Sequence, residues 1–216
     1  MKYKFRMQPQ HIVTIVQQLS DGAKTKINKL KFGSMLKIKL HDFPNGLIVD
    51  LMDCCEVTPE GMQLVVGEYK IMVTPQLVKD VLGLPLGKED VVIEIPQKME
   101  IMDYFGITKG PKMKDDVTAT DIIKQMATAD MLKQVQGFFT VLFNKLLCPE
   151  TTAYIRGADF NATSDDMDTI PEKNWCKYVC DKLVDSVKCW HNQKVKVTTT
   201  ERFVPGCGII LLVSSF

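Results

Sequence analysis

The chain has 216 residues, 45% hydrophobic and 25% charged, with a net charge of +1, proportions that fit a globular domain with a sizeable core and exclude a disordered or fibrous chain. No apolar run approaches the roughly 20 residues that cross a bilayer, and the basic start "MKYKFRMQPQ" leads into no uninterrupted apolar segment of the kind a secretion signal carries. Seven cysteines without such a signal predict reduced thiols in nucleus or cytoplasm, with mitochondrial import as the alternative because no acid precedes Asp21.

Taken in chain order, Gln8 to Leu19 reads as a helix with Pro9 in its opening turn and Ile12, Ile15, Val16 and Leu19 on one face. Ser20 caps a second helix, Asp21 to Leu30, with Ala23, Ile27 and Leu30 inward and Lys24 and Lys31 outward. "FGSMLKIKL" and "GLIVDLMDCCE" read as two short helices. The alternating runs around Gly67 predict a β-hairpin over Met62 to Thr74. Thr74 and Pro75 open a helix that Gly83 closes, and "VVIEIP" reads as a further strand ending at Pro96.

Residues 106 to 118 hold two glycines, a proline and clustered charge, and are expected to form a flexible loop. "TATD" caps a helix through Met126. Asp130 starts a longer one, with Leu132, Val135, Phe139, Leu142 and Leu146 at helical spacing, that Cys148-Pro149 ends. "NAT", at Asn161, lies in a polar stretch from Glu150 to Asp168. "TIPE" reads as a capping box for a helix from Ile170 to about Trp190. The expected fold is mainly α: one α-rich domain over residues 1–216 with a small β-hairpin.

On that last helix, Trp175, Val179, Leu183, Val187 and Trp190 share an arc at 100° per residue, and Cys176 and Cys180 fall inside it. Both thiols are therefore core residues. A metal site that added Cys189 would stretch about 13 Å along the helix at 1.5 Å per residue, too far for ligands that sit about 2.3 Å from zinc. The vicinal Cys54-Cys55 in "DCCE" admits a strained redox pair or simple partial burial. Cys207 in "PGCG" resembles a nucleophile loop, but His11, His41 and His191 form no recognisable partner set. No phosphate-binding, dinucleotide, zinc-protease or calcium motif is present. No cofactor, no metal and no catalytic residue is expected.

Charge is unevenly spread: residues 1–40 carry nine Lys/Arg against one Asp, net +8, and the remainder eighteen against twenty-five Asp/Glu, net −7. Lys24, Lys26, Lys29 and Lys31 are the candidate basic contact face. Twenty-four of the twenty-seven basic residues are Lys, with no arginine or aromatic cluster to read bases. The run Ile209, Ile210, Leu211, Leu212 and Val213 is the candidate apolar interface, expected to be exposed near the end of the sequence and to support self-association.

The stretches "IVQQLSDGAKTKINKLKFGSMLKIKL", "VTPQLVKDVLGLPLGKEDV", "FNKLLCPETTAYI" and "NWCKYVCDKLVDSV" together resemble a grass-abundant family of plant proteins associated with mobile elements, described as aminotransferase-like plant mobile domains or as regions upstream of SUMO-protease-like domains. The resemblance implies a mainly helical domain with no catalytic residues to carry over, the protease machinery of such proteins lying in a downstream region. It also implies a further apolar helix after "GC", so the sequence looks truncated at its C-terminus. The expected function is a non-catalytic intracellular protein-interaction module derived from a mobile-element protein. A nucleic-acid-binding module using the basic region is the first alternative, and an enzyme of unrecognised class the second.

Overall fold

The computed structural model describes the chain except for residues 41–42, 94–97, 110–115, 164–166, 196–199 and 216. It is mainly α-helical, and one apolar core runs from Ile12 to Leu211. Its first element is a strand, β1 (Lys2–Phe5). Helices α1 (Gln10–Gln18) and α2 (Asp21–Lys29) follow where the spacing predicts them. Ser20 Oγ accepts from the Ala23 amide at 3.2 Å, and Ile12, Ile15, Ala23, Ile27 and Leu30 are all buried. One 3₁₀ turn, Met35–Lys37, stands where a short helix was expected.

Helix α3 (Asn45–Asp53) ends earlier than "GLIVDLMDCCE" suggests, because Cys55 starts a strand. The expected hairpin is present as β3 (Gly61–Val66) and β4 (Tyr69–Val73), and β2 (Cys55–Thr58) joins it to make a three-stranded antiparallel sheet. Cys55, Met62, Leu64 and Val73 are buried on its inner face. Helix α4 (Pro75–Leu82) is opened by Thr74 Oγ1, which accepts from the Leu77 amide, and closed by Gly83 in the left-handed region.

The strand predicted over residues 91–96 is not formed at Val91–Ile93, and the rest of it lies outside the described residues. The backbone just before it is instead tied to the start of the last long helix: Glu89 N donates to Glu172 O and Asn174 N to Glu89 O. Helix α5 (Lys98–Phe105) carries no cap signal and escaped the sequence reading. Residues 110–115 of the expected flexible loop lie outside the described residues, whereas Ile107 and Val117 on either side are buried.

Helix α6 (Ala119–Met126) has the capping box predicted from "TATD", with Thr118 and Asp121 each bonded to the other's amide. Helix α7 (Met131–Leu142) is capped by Asp130 and lies at the centre, touching α1, α2 and α6. Leu132, placed on its inner face from spacing, is exposed because the first turn emerges from the core. From Gln134 to Pro149 every residue is buried.

The polar stretch contains a short helix, α8 (Gly157–Asn161). "TIPE" lies in a 3₁₀ turn, Met167–Glu172, and does not open the long helix. Pro171 lacks an N–H and disfavours helical geometry at the residue before it, so α9 (Trp175–Val195) starts five residues later than Ile170. Its cap is Asn174, whose Oδ1 accepts from the Lys177 amide at 2.9 Å. Phe32, Phe139, Phe143 and Trp175 then weld α2, α7 and α9: Phe32 stands edge-on to Phe139 at 4.9 Å, and Phe143 meets Trp175 at 5.0 Å. Such ring pairs add about 0.5–1.5 kcal/mol each beyond their buried area.

Strand β5 (Glu201–Val204) pairs in parallel with β1, Lys2 opposite Glu201 and Phe5 opposite Val204. Helix α10 (Gly208–Ser214) closes the chain against α3 and α4. Among the described residues no helix is long and apolar enough to cross a membrane.

Candidate functional site

The cysteines of α9 face the core as the helical arc requires. Cys176 Sγ donates to Leu84 O and Cys180 Sγ to Val73 O, each at 3.3 Å, and burial pushes both thiols up to about 11. Cys55 and Cys207 are pushed up to about 12 by the same cause, and Cys148 also rises well above its ordinary value. A thiol so shifted is a poor nucleophile at neutral pH. His11 Nδ1 is buried without a hydrogen-bond partner, and His41 and Asp42 lie outside the described residues. Among the described residues no three His, Cys, Asp or Glu side chains are grouped so as to hold a metal ion.

The basic face divides. Lys26 is paired with Asp168, whereas Lys24, Lys29 and Lys31 make no ion pair among the described residues, and neither do Lys37 and Lys39. Lys24 is half-buried and the other four are exposed.

Lys31 has φ +64°, a left-handed conformation that costs an ordinary side chain roughly 1–2 kcal/mol. The reversal is imposed by Phe32, which must turn into the core and is fully buried. Lys31 consequently stands at the rim of a cleft of about 290 Å³ that it shares with Lys79, Leu84, Pro85, Leu86 and Pro171. Gly83, at φ +67°, lets α4 stop there: a Cβ at that position would lie 3.1 Å from the side chain of Ser34. Lys79 sits in the last turn of α4, where a cation suits the helix dipole. Neither Lys79 nor the α4 terminus was singled out from sequence, because only folding brings them to Lys31.

The expected apolar interface is overturned for most of its length. Ile209, Ile210 and Leu211 are buried, Leu212 is half-buried, and only Val213 is exposed, at 51%. The run folds as α10 and lies down on α3: a Cβ on Gly208 would come within 3.0 Å of the Ile48 side chain. Five consecutive apolar residues need cover, and here their own chain supplies it.

A buried polar cluster was missed altogether. Helix α7 passes into a π-helical turn, Phe143–Leu147, a feature that often marks functional positions. It turns Asn144 and Lys145 inward. Asn144 Nδ2 donates to Tyr154 O at 3.0 Å and to Asp159 Oδ2 at 2.8 Å; Lys145 Nζ donates to Ala153 O at 2.8 Å. Arg156 holds Asp159 through Nε and Nη2, reaches Cys148 O through Nη2, and pairs with Glu150. Burial, with Arg6 nearby, lowers Lys145 to about 8 despite the charge of Asp159. A lysine so tuned can serve as a base or amine nucleophile, yet this one is 4% exposed and spends its proton on a loop carbonyl. It lines neither the Lys31 cleft nor a smaller one of about 170 Å³ between Cys148 and Cys189. The cluster fastens residues 150–159 to α7.

Residues 5–212 match the family model of a domain of unknown function, DUF8566. The chain belongs to that family. No curated protein and no solved structure matches it. The match spans α1 to α9 and most of α10, so the DUF8566 domain includes both the π-turn cluster and the lysine-rimmed cleft.

Proposed function

We propose that this DUF8566 domain is a non-catalytic binding module that meets an acidic protein partner through the basic region of α2 and the turns after it. The observation that carries this reading is that Lys24, Lys29, Lys31, Lys37 and Lys39 make no ion pair among the described residues, whereas Lys26 among them is neutralised by Asp168. Cations kept free of carboxylates create a field that draws in and orients an anionic partner. The raised pKa values of the buried thiols support the non-catalytic part of the reading. On the stretches quoted above, we also propose descent from a plant mobile-element protein and residence in the nucleus or cytoplasm, where all seven free cysteines stay reduced.

Retention on immobilised polyglutamate, eluted with a salt gradient, tests the reading. The triple variant Lys24→Glu, Lys29→Glu, Lys37→Glu should elute well before the unmodified protein. Equal retention of the two, or none of either, overturns it. Tighter and sequence-selective retention on duplex DNA moves the function to nucleic-acid binding.

A further inference from the structure

We infer that the Lys31–Lys79 cleft is a groove for an acidic peptide segment that seats one apolar side chain between the two lysines. This rests on the reading of the basic region as a contact surface and adds the chemistry of what it contacts. Among the residues lining the cleft the charged ones are both lysines, one from the turn after α2 and one from α4, and neither makes an ion pair among the described residues. Asp80, beside Lys79 in sequence, is held by Gln76 Nε2 at 2.7 Å.

The floor is apolar, made by Leu84, Pro85, Leu86 and Pro171, and Leu86 is 38% exposed. It is also fixed in place. Leu84 O accepts from Cys176 Sγ, Pro85 O from the Cys176 amide, Leu86 is bridged to Asn174, and Gly87 N donates to Lys173 O. A floor already ordered spares a ligand that entropic cost on binding.

Two prolines in the floor offer no N–H, so the groove presents few backbone donors to an extended peptide. Recognition falls to side chains: carboxylates to the lysines and an apolar group to the floor. Nucleic acid fits less well. Phosphates would satisfy the lysines, but among the described residues no aromatic ring or arginine lines the cleft to stack a base.

Fluorescence anisotropy with three labelled probes of equal charge decides: a Glu/Leu peptide, an all-Glu peptide and a single-stranded DNA. The Glu/Leu peptide should bind at least tenfold more tightly than the all-Glu peptide. Leu86→Ser should erase that preference while leaving the weak, salt-sensitive binding of all-Glu, and Lys31→Gly should weaken both peptides severalfold. Equal binding of the two peptides, unaffected by Leu86→Ser but lost in high salt, overturns the groove and leaves the basic contact surface standing. Tighter binding of the DNA than of either peptide overturns the groove in favour of nucleic acid. No binding of any probe removes both.

Discussion

Arg156 and Asp159, three residues apart, hold each other through two guanidinium nitrogens, and Asp159 is 2% exposed. The pair is not alone: Asn144 and the Arg156 amide also bond to Asp159 Oδ2, so the buried charge is met on several sides. Asp159→Ala leaves the guanidinium without its buried partner and should cost about 3–5 kcal/mol. Asp159→Asn keeps shape and some hydrogen bonds and should cost less. Urea unfolding of the three proteins checks the order; equal midpoints would show that the cluster does not hold the loop.

Lys31 separates stability from binding. Lys31→Gly removes the strain of φ +64° and should stabilise the fold by about 1 kcal/mol, the left-handed penalty less the entropy that glycine loses. The same change removes a cation from the cleft rim and should weaken acidic peptides. A variant that melts higher yet binds less is the expected outcome, read by thermal unfolding and anisotropy on one preparation.

The pH dependence follows from one amine and several thiols. Lys145 sits at about 8 in the folded state, below its ordinary 10.5, so its burial penalty is full below pH 8 and lifts as pH rises from 8 to 10.5. The thiols act in the opposite sense. Cys55, Cys176, Cys180 and Cys207 sit at about 11 to 12, so the stability they confer is complete below 9 and is lost above it, when only the unfolded chain ionises freely. Each group changes stability by about 1.4 kcal/mol per pH unit within its window. Stability should therefore rise slightly from pH 8 to 9 and fall by several kcal/mol by pH 10.5. Denaturant midpoints across that range measure it, and Lys145→Met should abolish the rise alone.

Thiol reactivity gives a second view of the same core. Cys54 and Cys189 are half-buried and should label first with a maleimide under native conditions, with the other five waiting for unfolding. Rapid labelling of Cys176 and Cys180 would contradict their place beneath α4 and the sheet.

Local signals made much of this fold legible. Ser20, Thr74, Thr118 and Asp130 cap the helices they were expected to cap, because an N-cap bond depends on neighbours two or three residues away. The Trp175–Trp190 stripe was legible for the same reason. What depends on distant chain was not: β1 and β5 lie about 200 residues apart, and no local pattern announces their pairing. Asn144 and Lys145 read as ordinary polar positions on a helix until the π-turn rotates them inward. The run from Ile209 to Val213 announced a need for cover but not its source, which is α3. Of the cleft only Lys31 was singled out, as a member of the basic face, and the rest arrives only when α4 packs beside it.

The pairing of β1 with β5 also sets a timetable. During synthesis Tyr3 and Phe5 emerge early, but their strand has no partner until residues 201–204 follow, about 10–40 s later at typical rates of about 5–20 residues per second. Until then the first segment is tethered only through contacts such as that between the Gln8 amide and Lys145 O. The parallel ladder is a late clasp of the domain, and a nascent chain halted before β5 would present an unpaired, aromatic-bearing strand to whatever lies nearby.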